Sequence, residues 1–282
     1  MLETIIKAFT TGNVKEIQEK LIHSSAWDQH LATHYGQEKL ISIVLNWLKL
    51  AGRSKAVASQ VVTSGETQVI HLQLQPLEGK RTVDYVFWLE TNGQVIKAIS
   101  SVVDTCRLVE ISQLSLPQIL STLPEPDPFV LCDYDQQDHL QGELALPSNM
   151  TMMTESVADT VDKWWSIWSE KQLANISEVY AQKVNAQYPG KALFQQQDEL
   201  FNYVLTLQAK LTRKFAQIER IAVAGNKVAI KWSLDGDEEA KRIRVPFISM
   251  LTIENGKIIS ECTLSDILAH RKRYFASKLF EE

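Results

Sequence analysis

The chain contains the stretch FISMLTIENGKII (residues 247–259), in which an Asn-Gly pair separates two apolar runs. A second stretch of the same kind, YVFWLETNGQVI, occupies residues 85–96. Asn-Gly between β-prone runs is the strongest short-range hairpin signal, because a type I′ turn needs positive φ at both central residues. The two stretches therefore predict two hairpins and an internal duplication, with both Asn-Gly pairs at turns.

The segments around the two hairpins repeat in the same order. Each half begins with two short helical patterns, continues with a long amphipathic helix, and ends with four β-prone runs. Leu40 matches Leu200, Val44 matches Val204 and Gly65 matches Gly225 at one constant interval. The interval is a few residues longer between the two Asn-Gly turns, which indicates a small insertion near residues 235–240 in the second copy. A nearly constant interval across helix, turn and strand indicates a duplicated unit.

Residues 105–155 differ from both halves because prolines and acidic residues interrupt them. We predict a first domain at residues 1–108, a Pro-rich acidic linker at residues 109–153 with a short helix at Ser115–Leu123, and a second domain at residues 154–282. A length of 282 residues suits two domains of ordinary size.

Composition places the chain among soluble globular proteins, with 45% hydrophobic and 22% charged residues. A formal net charge of −5 gives no electrostatic footprint for nucleic acid or an anionic membrane, so we predict neither partner. The N-terminus lacks a signal-peptide pattern, and no apolar run is long enough for a membrane span. The three cysteines lack metal-type spacing. We therefore expect a cytoplasmic protein with reduced thiols, no metal and no cofactor.

The order of elements resembles the nuclear transport factor 2-like superfamily, which includes SnoaL-like polyketide cyclases, ketosteroid isomerases and scytalone dehydratase. The stretch TTGNVKEI (residues 10–17) is similar to the small-residue break between the first two helices of that family. The resemblance covers both halves but not the linker. It implies an α+β protein of two tandem cone-shaped domains, each with helices packed on a curved four-stranded antiparallel meander. Domains of this family pair through their sheets, so the resemblance also implies an intramolecular pseudo-dimer that is a monomer or a homodimer.

Asp28 and Asp84 are the first candidates for chemistry. The resemblance places Asp28 where a ketosteroid isomerase has its general base, and Asp84 within one residue of its protonated oxyanion-hole acid. Strand alternation puts Asp84 on one face with Val86 and Trp88, where an apolar environment would raise its pKa. The isomerase's tyrosine on the first helix has no counterpart, because no tyrosine precedes Tyr35. The alternative is a surface Asp28, and an Asp84 that pairs with Arg81 or a backbone group.

Two histidines accompany Asp28, and three tryptophans bear on the space inside the first cone. His30 and His34 are four residues apart, so on a helix they could share a metal, and His30 could serve Asp28 as an acid–base partner. The alternative is two histidines that line the mouth of the cone. Trp27, His34 and Trp88 are candidate ligand contacts. A cone plugged by Trp27, Trp47 and Trp88 would instead indicate a module without a cavity.

The second copy carries different side chains at the matching positions. The constant interval pairs Asp28 with Tyr188, His34 with Phe194 and Asp84 with Arg244. Tyr188, Arg242 and Arg244 could hold an anionic ligand, and the alternative for the arginines is a solvated face or an ion pair with Glu261.

Two functions remain open from the sequence. The first is a small-ligand pocket in the first domain, with proton-transfer isomerase, cyclase or dehydratase chemistry by Asp28, Asp84 and His30 on a small apolar or anionic molecule. The second is a non-catalytic ligand-binding or protein-interaction module whose cones are filled by side chains. The volume and lining of the first cone distinguish them.

Overall fold

The computed structural model describes residues 1–52, 54–77, 82–111, 115–127, 153–239, 241–275 and 277–280. Predictions that fall on residues 128–152, in the linker, and on Arg81 lie outside this part of the chain. Within it, no helix is long and apolar enough to cross a membrane.

The first unit has three helices before its four-stranded meander and two after it. The helices are α1 (Leu2–Thr11), α2 (Lys15–Lys20), α3 (Gln37–Ala51), α4 (Thr105–Ile111) and α5 (Leu116–Thr122). The strands are β1 (Leu21–Asp28), β2 (Thr33–Tyr35), β3 (Ser54–Ser64), β4 (Thr67–Pro76), β5 (Val83–Asn92) and β6 (Val95–Val103). The short helix predicted inside the linker is confirmed as α5, which Ser115 and Gln118 begin with a reciprocal capping box.

The second unit repeats this order. Its helices are α6 (Glu155–Ser169), α7 (Asn175–Val179), α8 (Gln197–Ala209) and α9 (Ile267–Arg273). Its strands are β7 (Tyr180–Gln187), β8 (Phe194–Gln196), β9 (Thr212–Ala224), β10 (Lys227–Glu238), β11 (Lys241–Glu254) and β12 (Lys257–Leu264). The final helix, α9, ends at Arg273.

Each sheet has six strands, not only the four of the predicted meander. The orders are β2-β1-β6-β5-β4-β3 and β8-β7-β12-β11-β10-β9. The additional strands β1 and β7 run parallel to β6 and β12, so each sheet is mixed. The sequence pattern indicates neither β1 nor β2. The sequence of β1 is polar and does not alternate clearly, and its pairing with β6 joins residues that are far apart in the chain.

Both Asn-Gly pairs lie at hairpin turns, but in different registers. In the second hairpin Glu254 pairs with Lys257, so Asn255 and Gly256 are the two turn residues, both with positive φ. In the first hairpin Asn92 itself pairs with Val95, so the turn begins one residue later, at Gly93. Aligning the two Asn-Gly pairs therefore misplaces the two central strands by one residue relative to each other.

The two faces of each sheet have different neighbours. Tyr85 and Phe87 of β5 face the helices of the first unit and belong to its core. Val86 and Trp88 point the other way and pack in a shared cluster with Ile248 of β11 and other residues of the second sheet. The two sheets therefore pack face to face within one chain, as predicted.

Polar contacts across the sheet–sheet interface come in equivalent pairs. Gln60 donates to the hydroxyl of Thr252 at 3.2 Å, and Arg220 forms an ion pair with Glu90. In the strand registers Gln60 lies opposite His71, and Arg220 lies opposite Lys231, each next to a bulge. The two units are thus related by an approximate two-fold axis between the sheets.

Candidate functional site

A cleft of about 220 Å³ lies at the junction of the two units. The first unit contributes Asp28, Gln29, His30, Ser100, Ser101 and Val102 to its walls. The second unit contributes Glu219, Lys231, Arg244, Pro246, Phe247, Ile248, Arg273 and Tyr274. Its walls combine apolar residues with charged residues of both signs, which is the usual composition of a small-molecule site.

Lys231 is the charged group at the centre of the cleft, and only 13% of its side chain is exposed. Its Nζ lies 2.8 Å from Oδ2 of Asp28 and 3.3 Å from Oε2 of Glu219, and it donates to Oγ of Ser100 at 3.0 Å. Three acceptors match the three N–H groups of an ammonium. Asp28, the predicted base, is therefore ion-paired across the two units, with 46% of its side chain exposed.

Arg244 also lines the cleft. Its Nη2 donates to Oε1 of Glu219 at 3.1 Å, and its Nε lies 3.8 Å from Oδ1 of Asp235. About a third of its side chain, 34%, remains exposed. Arg244 is thus the member of the predicted second-copy set that reaches the cleft.

His30 is the least satisfied polar group of the cleft. Both ring nitrogens are buried, and neither has a hydrogen-bond partner among the described residues. Burial lowers the pKa of His30 well below its usual value, and the nearby His270 and Arg273 lower it further. The ring is therefore neutral at pH 7, with one donor and one acceptor that face no protein partner.

Three hydroxyl groups of the cleft accept hydrogen bonds from the protein. Oγ of Ser100 accepts from Lys231, and Oγ of Ser101 accepts from the indole of Trp27 at 2.7 Å. The phenol of Tyr274 accepts from the backbone N–H of Arg244 at 3.1 Å. A hydroxyl that accepts in this way still has its own O–H to donate. The cleft is consequently rich in donors that a bound molecule can use.

Asp84 does not line this cleft, so the expected convergence of Asp28 and Asp84 on one cavity is wrong. Asp84 shares a face with Val86 and Trp88 as predicted, but that face packs against the second sheet. Its Oδ1 lies 2.7 Å from Nε2 of His71, and its Oδ2 accepts from Gln187 at 2.6 Å. Its pKa is lowered, not raised, because the contact with His71 outweighs the effect of burial.

The core of the first unit is packed with aromatic side chains, which agrees with the plugged alternative for the first cone more than with an open cone. Trp27 and Trp47 are buried in this core with Tyr85 and Phe87. Two voids border Trp47: one of about 10 Å³, which Ala269 of helix α9 closes from the second unit, and one of about 100 Å³, which His34 also lines. The ring of His30 lies between the smaller void and the cleft.

The other predicted residues lie away from the cleft. His34 is in β2 and His30 follows β1, so they do not share a helix face that could hold a metal. Trp88 is buried between the sheets. Tyr188 is buried in the second unit, where its phenol donates to Oε1 of Glu261 at 2.8 Å. Arg242 lies 3.7 Å from Asp237 and donates to the carbonyl of Arg213.

Sequence reasoning missed Lys231, Ser100 and Tyr274. Lys231 is the one charged residue in the stretch VAIKWSL (residues 228–234), and that break in the apolar pattern was the available signal. No sequence signal links Ser100 or Tyr274 to Asp28, because the three come together only when the two units pack.

Known families and structures match the chain as follows. Residues 161–261 match the family model of the SnoaL-like domain. No curated protein matches the sequence.

Solved structures resemble parts of the chain at low identity. An NTF2-like protein of unknown function from Burkholderia pseudomallei K96243 is 12% identical over 44% of this chain and 100% of that protein, with a TM-score of 0.40. A protein with a ketosteroid isomerase-like fold from Catenulispora acidiphila DSM 44928, in complex with trimethylamine, is 15% identical over 39% of this chain and 88% of that protein, with a TM-score of 0.36. An LEH-like epoxide hydrolase from M. tuberculosis is 12% identical over 42% of this chain and 89% of that protein, with a TM-score of 0.37.

Proposed function

Because the second unit is a SnoaL-like domain and the first unit repeats its order of elements, we propose that the chain is a small-molecule-binding protein whose site is the cleft between the units. The packed core of the first unit, whose voids beside Trp47 are smaller than the cleft, supports this placement over a site inside the first cone. The second half then contributes to the site directly and is more than a structural support.

One observation carries the proposal: the unpartnered ring of His30 in the wall of the cleft. A buried polar group without a partner costs about 1–3 kcal/mol. Such a cost is tolerated where a bound molecule or water supplies the partner. The apolar side chains of Val102 and Ile248 give that molecule a surface to rest on.

Binding can be tested with a small aromatic probe set, benzoate, benzamide and benzylammonium, by saturation-transfer NMR and calorimetry. We expect saturable binding of at least one probe to the full chain, and loss of that binding in Ser100→Phe, which fills the cleft from β6. Ser177→Phe, at an exposed position in α7, is the matched control and should bind as the natural protein does. Absence of saturable binding for all three probes, or equal binding by Ser100→Phe, would contradict the proposal.

A second candidate function is proton transfer at the same cleft, and a specific observation favours it. Asp28 and His30, both predicted to act in acid–base chemistry, lie in the wall of this one cavity. A carboxylate base beside a neutral imidazole can take a proton from an activated C–H group and return it elsewhere. Asp84 has no part in this function, because its carboxylate is bound to His71 and Gln187.

Exchange of the α-protons of 2-tetralone in D₂O tests proton transfer without knowledge of the natural substrate. We expect exchange above the buffer rate with the natural protein and at the buffer rate with Asp28→Asn. Asp159→Asn, an exposed carboxylate of α6, is the control and should leave the rate unchanged. If the natural protein gives no exchange above buffer while a probe binds, the function is binding alone.

A further inference from the structure

The approximate two-fold axis gives the cleft a counterpart at the other end of the interface. In each unit the first strand of the meander has one residue without a partner in the next strand: Ser59 in β3 and Glu219 in β9. These two bulges fix which residues of the two units correspond. The strand registers then place these residues at equivalent positions: His71 and Lys231, Asp28 and Gln187, Ser100 and Cys262, Asp84 and Pro246. Asp28 therefore corresponds to Gln187, one residue before the sequence-based match Tyr188. Asp84 corresponds to Pro246, two residues after the sequence-based match Arg244. The sequence-based match of His34 with Phe194 holds.

The counterpart junction is closed by a carboxylate of the chain itself. Asp84 accepts from His71, from Gln73 at 3.0 Å and from Gln187. The Sγ of Cys262 lies 3.6 Å from the same His71 nitrogen. These polar side chains, all in the described part of the chain, thus have partners, and the carboxylate of Asp84 joins His71, Gln73 and Gln187.

The cleft lacks this carboxylate because Pro246 occupies the position of Asp84. A pyrrolidine ring is shorter than a carboxylate side chain and neither donates nor accepts a side-chain hydrogen bond. Pro246 lines the cleft, and the space beside it is part of the open volume of about 220 Å³. The same backbone position is therefore closed at one junction and open at the other.

We propose that the ligand of the cleft is a monocarboxylate, whose carboxylate occupies the space that Asp84 fills at the counterpart junction. This inference rests on the proposed function. Asp28 takes the position of Gln187 but cannot donate, and its carboxylate is already paired with Lys231. The other groups around the space are suited to an anionic acceptor: the O–H groups of Ser100 and Tyr274 are free to donate, and the guanidinium of Arg244 is partly exposed. Charge-assisted hydrogen bonds to a carboxylate are stronger than those between neutral groups.

The cationic side chains Lys231 and Arg244 of the cleft are both near carboxylates. Asp28 and Glu219 contact Lys231, Glu219 also contacts Arg244, and Asp235 lies 3.8 Å from Arg244. A ligand carboxylate would therefore share the partly exposed guanidinium of Arg244 with these groups, and the apolar residues of the walls suit a hydrocarbon body.

Benzoate and benzamide test the charge of the ligand, because they have the same shape and only benzoate is anionic at pH 7. We expect benzoate to bind the full chain about tenfold tighter than benzamide, as one charge-assisted hydrogen bond predicts. Equal affinities that are both lost in Ser100→Phe would overturn the monocarboxylate and leave the cleft as a binding site. Failure of benzoate and benzamide to bind, with benzylammonium still bound, would overturn the monocarboxylate alone. Failure of all three probes would overturn the inference together with the proposed function.

Two variants locate the carboxylate. Arg244→Gln should weaken benzoate about tenfold and leave benzamide unchanged, because only the anion uses the guanidinium charge. Arg242→Gln, on the same strand but outside the walls of the cleft, is the matched control and should leave both affinities unchanged. Pro246→Asp introduces the residue that closes the counterpart and should abolish benzoate binding, with the melting temperature as the check on folding. Retention of tight benzoate binding by both Arg244→Gln and Pro246→Asp would overturn the placement.

Discussion

His71 and Asp84 form a buried ion pair on the face of the first sheet that packs against the second, with 2.7 Å between Nε2 and Oδ1 and 5% of each side chain exposed. Gln187 from the second unit donates to the other oxygen of Asp84. The ion pair therefore belongs to the fold of the first unit and also holds the second unit against it.

Removal of one partner of this ion pair should lower the free energy of unfolding. Asp84→Ala leaves the imidazolium of His71 and the amide of Gln187 buried without an acceptor, so we expect a loss of about 3–5 kcal/mol in the free energy of unfolding. Urea unfolding followed by tryptophan fluorescence measures it. Asp159→Ala removes an exposed carboxylate that pairs with Lys163, and it should cost less than about 1 kcal/mol. Equal effects of the two changes would show that the buried pair has no special role.

The same pair predicts a loss of stability at alkaline pH. Burial alone would lower the pKa of His71, but Cys262 and Asp84 raise it to about 10. A raised histidine pKa gives stability that is fully present below the unfolded value of about 6.5 and is lost as pH rises toward 10. The stability advantage of the natural protein over His71→Asn should therefore decline between pH 7 and pH 10. An advantage that stays constant over this interval would contradict a charged His71.

Two buried carboxylates predict a further change in stability, at acidic pH. Asp104 and Asp266 begin helices α4 and α9 at equivalent positions, where each accepts from a backbone N–H three residues later. Burial raises the pKa of each to about 6. Between about 4 and 6 the folded protein then binds more protons than the unfolded chain, so these groups make stability fall as pH rises through that range.

Asp266→Asn keeps an acceptor for the helix N-terminus but cannot ionise, so it should remove part of this fall. Urea midpoints at pH 4.5 and pH 7 measure the change. Asp198→Asn, an exposed residue in the first turn of α8, should leave the pH dependence as it is. If Asp266→Asn shows the full pH dependence of the natural protein, Asp266 is not one of the titrating groups.

We expect Tyr188 to contribute to the stability of the fold and not to ligand binding in the cleft. Its phenol donates to the buried Glu261, which also accepts from Tyr180 and from Thr263 at 2.6 Å. Tyr188→Phe removes one bond from this network, and we expect a loss of about 1–3 kcal/mol in the free energy of unfolding. Benzoate affinity, measured by calorimetry, should be unchanged. A large loss of affinity in a folded Tyr188→Phe would return Tyr188 to the ligand site.

Local chemistry was enough to predict much of the fold. The Asn255-Gly256 turn requires two residues with positive φ, and the flanking apolar runs commit the chain to a hairpin whatever surrounds it. The helix α3 follows likewise from one apolar face at helical spacing. Duplication adds information, because each half supports the interpretation of the other. These features depend on residues close together in the chain, so their pattern is visible without coordinates.

Strand alternation likewise determined that Asp84 shares a face with Val86 and Trp88, because successive side chains of a strand point to opposite sides. Both faces of β5 are apolar, so the pattern could not tell which of them meets the helices and which meets the second sheet. The parallel pairing of β1 with β6 and the contact of Lys231 with Asp28 join residues that are distant in sequence. Only the packing of the two units decided that Asp28 and His30 face a cleft while Asp84 is buried against His71, because the partners of each come from different parts of the chain.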